Sequence, residues 1–208
     1  MTPAKRITDL VLALMLTALL ALPFAVLLIW LLIRQGRPLF YVAERMRSAD
    51  RGFMLWKLRT MTPAPPGHGG VSGGDKAGRI SPLGHRLRRY RLDEIPQMWN
   101  VVRGDMSFVG PRPPLRSYVE RFPELYAQVL KSRPGITGLA TLHFHRHEEW
   151  LLARCKTAEE TDSTYVRRCI PRKARLDLIY QRNRTLCTDF GLMAATLKRV
   201  LPRVWPKV

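Results

Sequence analysis

Acidic side chains are scarce in this sequence. The chain has 16 Asp and Glu residues against 35 Lys and Arg residues, which gives a formal net charge of +19. An excess of this size favours anionic partners, namely nucleic acid, an acidic membrane surface or phosphorylated small molecules. The imbalance bears on partners and leaves the fold open.

Cysteine is also rare, and its spacing excludes two kinds of stabilised small domain. The three cysteines, Cys155, Cys169 and Cys187, are odd in number and widely separated. No paired-ligand motif of the zinc-binding type occurs among them. They are therefore predicted to be free thiols in a reducing compartment, without a disulfide framework or a structural zinc site.

The segment richest in glycine lacks the dinucleotide-binding fingerprint. Residues 63–78 read PAPPGHGGVSGGDKAG, in which Gly67 and Gly69 are followed by Ser72 where the third glycine should stand. Proline and glycine at this density predict a mobile loop. The chain also has no internal repeats, so a repeat architecture is not expected.

One long stretch has no charge at all. Residues 10–33 are 24 consecutive uncharged and mostly apolar residues, which as a helix would be about 36 Å long and could cross a bilayer. A cleaved signal peptide usually has an apolar core of about 7 to 15 residues, so we expect this longer segment to be retained.

The topology of this segment has two readings. Lys5 and Arg6 precede it and several arginines follow it, which keeps both ends on the cytoplasmic side by the positive-inside tendency. Pro23 lies in the middle and predicts a bend. A re-entrant hairpin satisfies both observations, while a single span with a tolerated proline is the alternative. In either case the basic domain would lie against anionic headgroups of the cytoplasmic leaflet.

The rest of the chain predicts a mainly α domain with a small β-hairpin. Aromatic and β-branched stretches flank a polar turn in residues 37–61, which is typical of a hairpin. GHRLRRYRL and the segment from Pro96 to Val102 predict helices, the second ending at a Gly104 cap. The last predicted helix, residues 190–201, places Phe190, Met193, Leu197, Val200 and Leu201 on one stripe. That stripe either lies on the membrane surface or, as we expect, packs on the core.

Two adjacent carboxylates stand out against the basic background. Asp93 and Glu94 follow an arginine-rich run and precede Pro96. Neighbouring residues of a helix point about 100° apart, so the pair is suited to separate tasks better than to sharing one proton. An ionised aspartate can act as a nucleophile or a magnesium ligand, and its neighbour can orient it or move a proton. A surface Asp-Glu paired with nearby arginines is the alternative.

The segment around these acids resembles the signature of the bacterial monotopic phosphoglycosyl transferases. It reads RISPLGHRLRRYRLDEIPQMWNVVRGDMSFVGPRP over residues 79–113. Similarity extends back through FMLWKLRTM to the apolar N-terminus and forward through RPGITGLA and LDLIYQRNRTLCTDFGLM. The resemblance covers most of the chain, and the joined signature is specific.

The resemblance implies a reaction, its partners and its site. The expected reaction moves a sugar-1-phosphate from a UDP-sugar to polyprenol (undecaprenyl) phosphate, with Mg²⁺ as cofactor, at the cytoplasmic face of the bacterial inner membrane. Asp93 is the expected nucleophile and metal ligand, and Glu94 its acid/base or orienting partner. The implied substrate-binding residues are Lys57, Arg59, Arg88, Gln97 and Arg112. The family's membrane segment is re-entrant, which favours the hairpin.

The chain departs from the family pattern at two places. Leu22 stands before Pro23 where many relatives have serine, and LATLHFHRHEEW follows PGITG where many relatives have a different run. Residues 142–173 are therefore expected to contact the donor, whose sugar is not predicted. Alternating His143, His145 and His147 predict one face of a strand; they are expected to contact substrate or solvent more than metal.

These expectations divide the chain into a membrane hairpin, residues 1–36, and a cytosolic catalytic domain, residues 37–208. The first membrane step of glycan assembly is the expected role, with anionic lipid and no nucleic acid as partners and a homo-oligomer left open. A membrane-anchored basic binding module or a scaffold subunit without catalysis is the competing function.

Overall fold

A computed structural model describes residues 1–62 and 73–200, and the fold is mainly α, as predicted. The helices are α1 (Pro3–Gln35), α2 (Pro82–Arg89), α3 (Gln97–Arg103), α4 (Arg116–Arg121), α5 (Pro123–Val129), α6 (Leu139–Leu152), α7 (Ala158–Thr164), α8 (Ile170–Asn183) and α9 (Leu186–Val200). Short 3₁₀ turns cover Gly74–Arg79 and Leu92–Glu94, and a π turn, Tyr165–Cys169, joins α7 to α8.

The strands form two small sheets. β1 (Phe40–Met46) and β2 (Gly52–Leu58) make the predicted antiparallel hairpin, with Phe40 opposite Leu58. β3 (Ser107–Val109) and β4 (Gly135–Thr137) pair in parallel, which the sequence did not predict. The predicted loop at residues 63–78 lies mostly outside the described residues, and the part that is described contains the 3₁₀ turn.

Helix α1 is long and apolar enough to cross a membrane, judged by length and composition. It is continuous across Pro23, the residue at which the sequence predicts a bend. Both of its halves contact the rest of the protein: Ala13 joins a cluster with β2, α3 and β3, and Leu31 joins one with Leu58 and Leu87. The remaining surface of α1 exposes apolar side chains, among them Leu19, Leu22 and Val26.

The beginning of α1 is bound to the domain by polar contacts. Lys5 Nζ lies 2.5 Å from Asp189 Oδ2 of α9, and Asp9 Oδ1 accepts a hydrogen bond from the Phe108 backbone N–H of β3. Arg6 donates to the carbonyls of Val101 and Val102 at 2.6 and 2.8 Å. Carbonyls in the last turn of a helix have no partner within that helix, so Arg6 caps α3 from outside.

The core of the second half is built by α5, α6 and α8. Buried Phe144, Leu151 and Leu152 of α6 meet Tyr126 of α5 and Ile170 of α8. The spacing of the buried α6 residues is helical, which contradicts the predicted strand at His143, His145 and His147. Histidines two residues apart on a helix point in nearly opposite directions, so the three do not share one face.

The predicted C-terminal helix is confirmed as α9, but the prediction that its apolar stripe packs on the core is only partly correct. It begins at Leu186, four residues earlier than predicted. Leu192 is buried and Met193 is partly buried against the core, whereas Phe190 and Leu197 are about half exposed. Leu201 lies outside the described residues.

Candidate active site

The Asp-Glu pair sits on a tight turn between two short helices. Ser81 caps the start of α2 by accepting a hydrogen bond from Gly84 N–H at 2.9 Å, and Pro82 fits its first turn. After α2, Arg91 adopts the left-handed conformation with φ of 54°. The chain then turns through Leu92–Glu94 into α3, which ends at Gly104 with φ of 86°, as predicted. Asp93 and Glu94 are consequently fixed by backbone geometry on both sides.

The turn is attached to the hairpin through one buried amide. Asn100 of α3 donates from Nδ2 to Met54 O at 2.8 Å and accepts at Oδ1 from Trp56 N–H at 3.2 Å. Lys57, the next residue of β2, extends its ammonium to Glu94 Oε1 at 2.9 Å. The contacts of Asn100 with β2 thereby position Lys57 beside the acid pair.

Arg112 reaches the same carboxylate from a rigid loop after β3. Gly110 N–H donates to Thr137 O, and Gly135 N–H donates to Pro111 O. The backbones approach so closely that a Cβ on Gly110 would lie 2.1 Å from the Arg133 carbonyl oxygen, so only glycine fits there. Arg112 follows this clamp and donates to Glu94 Oε1 at 3.1 Å.

Glu94 is surrounded by positive charge. Its side chain is 7% exposed and forms ion pairs with Lys57, Arg91 and Arg112. Burial alone would raise the pKa of Glu94, but the charges of Lys57, Arg112 and Arg91 hold it well below its usual range. Glu94 is therefore ionised at neutral pH, and both of its oxygens are engaged by cations.

Asp93 is buried without a comparable set of partners. It is 7% exposed, and no hydrogen bond or ion pair is found for it within residues 1–62 and 73–200. Burial, and to a smaller extent the charge of Glu94, raise the pKa of Asp93, while Lys57, Arg88 and Arg112 act to lower it. A desolvated carboxylate in a positive field is chemically suited to act as an oxygen nucleophile.

The remaining predicted site residues are placed differently. Arg88 lies close enough to Asp93 for the charges to interact, and its Nε donates to Thr60 Oγ1 at 2.9 Å. Gln97 is 2% exposed in the first turn of α3. Arg59 instead donates to the Gln35 and Gly36 carbonyls at 2.7 and 3.1 Å, and so it caps the end of α1.

Three participants were not selected from the sequence. Arg91 pairs with Glu94 and also donates to Ile136 O, and Asn100 and Thr60 hold the surrounding elements. The position of Arg91 three residues before Glu94 was a usable signal, because residues at this spacing lie close together in helical turns. Nothing in the sequence distinguishes Asn100 and Thr60 from ordinary surface residues.

One histidine of α6 faces the arginines of the site. His145 lies 3.4 Å from Glu149 Oε1 with a side chain that is 45% exposed. Burial lowers the pKa of His145, as do the charges of Arg112 and Arg91, while Glu149 opposes this. His143 and His147 are exposed. Helix α6 therefore borders the acid pair within the region predicted to contact the donor.

The donor atoms available for a metal ion are few. Among the described residues, no group of three or more His, Cys, Asp or Glu side chains could hold one. Mg²⁺ is commonly bound through one or two carboxylates, with water and substrate phosphates supplying its other ligands. Since Glu94 is saturated by cations, Asp93 is the carboxylate that fits this mode of binding.

Comparison with known proteins identifies the family. The bacterial sugar transferase family model matches residues 1–203. The chain is 28% identical to the uncharacterized sugar transferase EpsL of Bacillus subtilis over 95% of its own length and 87% of that protein. It is 37% identical to the UDP-glucose:undecaprenyl-phosphate glucose-1-phosphate transferase of Caulobacter vibrioides over 65% of its length.

A further relative is the UDP-N-acetylgalactosamine-undecaprenyl-phosphate N-acetylgalactosaminephosphotransferase of Aeromonas hydrophila, 30% identical over 79% of this chain. The chain spans only 36% of that protein and 52% of the Caulobacter protein, whereas it spans most of EpsL. The family match nevertheless covers the membrane helix, the acid pair and the loop of Arg112 together. This chain belongs to the bacterial sugar transferase family.

Proposed function

We propose that the protein transfers a sugar-1-phosphate from a UDP-sugar to undecaprenyl phosphate through a covalent intermediate on Asp93. Relatives that are named for this type of reaction support the choice of substrates. The observation that carries the mechanism is the contrast within the acid pair: Glu94 is saturated with cations, and Asp93 is buried without a partner among the described residues.

The first step is attack on the phosphate that bears the sugar. An Asp93 carboxylate oxygen forms a bond to phosphorus, and the bond from that phosphorus to the bridging oxygen breaks, so that UMP leaves with the electron pair. We assign Arg88 and Arg112 the binding of the phosphate oxygens, because their charges act on Asp93 and a guanidinium matches two such oxygens at once. Mg²⁺, held by Asp93 and the diphosphate, would supply further positive charge.

The second step resolves the intermediate. A phosphate oxygen of the lipid attacks the same phosphorus, the bond to Asp93 breaks, and undecaprenyl diphosphate sugar is released. Since the pKa of Glu94 is held well below its usual range, we assign Glu94 the task of anchoring Lys57, Arg91 and Arg112. This assignment selects the orienting role for Glu94 over the acid/base role.

The arrangement of α1 supports a re-entrant attachment to the cytoplasmic face of the inner membrane. Arg6, near the start of α1, contacts α3, and Arg59, which directly follows β2, contacts the last residues of α1. Because both ends touch the same domain, we assign both to the same side of the bilayer, with the exposed apolar face in lipid. Tags at the two termini should both be protected from labelling on the periplasmic side; labelling of the N-terminal tag would refute this topology.

The function is tested with the purified full chain in detergent, Mg²⁺, undecaprenyl phosphate and a panel of UDP-sugars. We expect UMP release with a subset of donors and loss of activity with a chelator. With donor alone, intact-mass and peptide analysis should find a phosphosugar on Asp93. Turnover without any such adduct would overturn the covalent step, and no UMP release with any donor would favour a scaffold or binding role.

A further inference from the structure

Arg112 lines a small buried cavity in addition to contacting Glu94. The cavity has a volume of about 20 Å³. About 10 to 15 Å³ is enough for one water molecule, provided that two to four polar groups can bond to it. The lining residues include five with polar side chains, namely Arg112, Tyr126, Tyr165, Lys173 and Asp177.

Asp177 has an unsatisfied polar atom at this place. The residue is 6% exposed on α8, and no hydrogen-bond partner is found for its Oδ1 within the described part of the chain. An orphaned buried oxygen is costly, and native proteins usually satisfy such atoms with protein groups or ordered water. Because Asp177 lines the cavity, space for a water lies next to this residue.

Asp177 belongs to a buried cluster of charged and polar side chains. Lys173 Nζ, one turn away on α8, lies 2.8 Å from Glu148 Oε1 of α6 and 3.1 Å from the Tyr165 hydroxyl. Tyr126 of α5 and Arg112 line the same cavity. Burial raises the pKa of Asp177 to about 7, Lys173 opposes this and Glu148 adds to it. A carboxyl that is protonated near neutral pH can donate as well as accept a hydrogen bond.

We propose that one water molecule occupies this cavity and bridges Asp177 to Arg112, which makes Asp177 a positioning residue for the Arg112 guanidinium. Arg112 is then held from two directions, by Glu94 directly and by Asp177 through water. The consequence for phosphate binding rests on the proposed function, but the water site itself does not.

The direct test is a crystal structure of the full chain in detergent or lipidic phase at a resolution that shows ordered water. We expect one water within hydrogen-bond distance of both Asp177 and Arg112 in the wild type, and its loss in Asp177→Leu. An empty cavity, or a water that contacts only one of the two, would overturn the proposal. This result is independent of any transferase activity.

A kinetic test separates positioning from a general structural role. Asp177→Asn keeps the shape and hydrogen-bonding capacity, so its kcat/KM for the UDP-sugar should stay within about threefold of the wild type. Asp177→Leu removes the bridge, and kcat/KM should fall by roughly tenfold, mainly through a higher donor KM. Asp162→Asn, an exposed carboxylate paired with Arg121, is the matched control and should change neither parameter. Equal losses in the Asn and Leu variants would refute a positioning role.

A stability measurement covers the case in which Asp177→Leu does not fold. In the unfolded chain Asp177 ionises near pH 4, whereas in the folded protein it stays neutral up to about pH 7. The wild type therefore loses stability as pH rises through this window, and Asp177→Asn does not. The difference in Tm, Asp177→Asn minus wild type, should therefore increase between pH 4.5 and pH 8. A difference that does not change with pH would contradict the proposal that Asp177 is a neutral carboxyl bonded to water.

Discussion

Asp93 and Glu94 are neighbours in sequence and occupy opposite environments. Three cations bind Glu94, and they hold its pKa well below the usual range. Asp93 is equally buried, and its pKa is raised because burial outweighs the same nearby charges. One acid therefore organises the cations, and the other is left available to react.

The difference arises from the 3₁₀ turn. Successive residues of a 3₁₀ turn point about 120° apart. The Glu94 side chain is directed toward Lys57 and Arg112, and the Asp93 side chain therefore points in a different direction. The ion pairs of Glu94 stabilise the site, whereas a desolvated carboxylate without partners reduces stability. Stability and reactivity are thus divided between adjacent residues.

The largest effect is expected for Asp93→Asn. Transfer should fall by at least about 10³-fold, because an amide cannot form the phosphosugar intermediate. The raised pKa of Asp93 means that folding disfavours its ionised form, and the substitution removes this cost. The Tm of Asp93→Asn at pH 7 should therefore equal or exceed that of the wild type. UMP release and thermal unfolding measure the two effects.

Asp162→Asn is the control for loss of a carboxylate outside the site. A marked decrease in the Tm of Asp93→Asn would contradict the contrast, because it would show that Asp93 is a stabilising ion-pair partner like Glu94.

Glu94→Gln should be the most destabilising change in the acid pair. Removing one member of a buried ion pair leaves the other charge uncompensated, so the free energy of unfolding should fall by about 3–5 kcal/mol. Glu120→Gln removes an exposed partner of Arg116 and should change it by less than about 0.5 kcal/mol. Denaturant unfolding of both variants makes the comparison, and equal effects would show that Glu94 does not organise the site.

Arg88→Gln should move the acid limit of the reaction. The charge of Arg88 lowers the pKa of Asp93, so removing this charge raises that pKa. When the pH is lowered, the variant should therefore stop forming the adduct at a higher pH than the wild type does. A single-turnover pH profile with donor alone measures this shift. Exposed Arg86 of the same helix is the control, and Arg86→Gln should leave the profile unchanged. A shift toward lower pH in Arg88→Gln would show that the charge does not act on Asp93.

The smallest effect is expected on α6. His145 faces the arginines of the site, so His145→Ala should raise the donor KM by about two- to fivefold with little change in kcat. Exposed His143 lies on a different face, and His143→Ala should behave as the wild type. Equal effects of the two variants would place donor recognition elsewhere.

The local elements around the acid pair could be predicted from the sequence because their signals are short-range. Pro96 and Gly104 marked the limits of the short helix, and the polar turn before Gly52 marked the hairpin. These residues act through backbone restriction, which does not depend on distant contacts. The same is true of the helix before the acids.

The incorrect predictions concerned features that tertiary contacts decide. His143, His145 and His147 alternate as in a strand, but buried Phe144 and Leu151 place this segment in a helix of the core. The substrate-binding role of Arg59 stays a prediction, but its hydrogen bonds to the end of α1 depend on a distant element in the same way. Without a second element to pack against, neither outcome could be read from local residues.

The contact between Arg6 and α3 bears on how separable the parts of this protein are. Substituting an unrelated transmembrane segment for α1 would keep the domain at the bilayer, yet the Val101 and Val102 carbonyls would lose the hydrogen bonds that Arg6 donates. α3 follows the turn that carries Asp93, so we expect a disturbance at the end of α3 to reach this carboxylate. Helix α1 is therefore a structural part of the domain that carries the acid pair, and we expect its exchange for another segment to alter this site as well as the attachment of the domain.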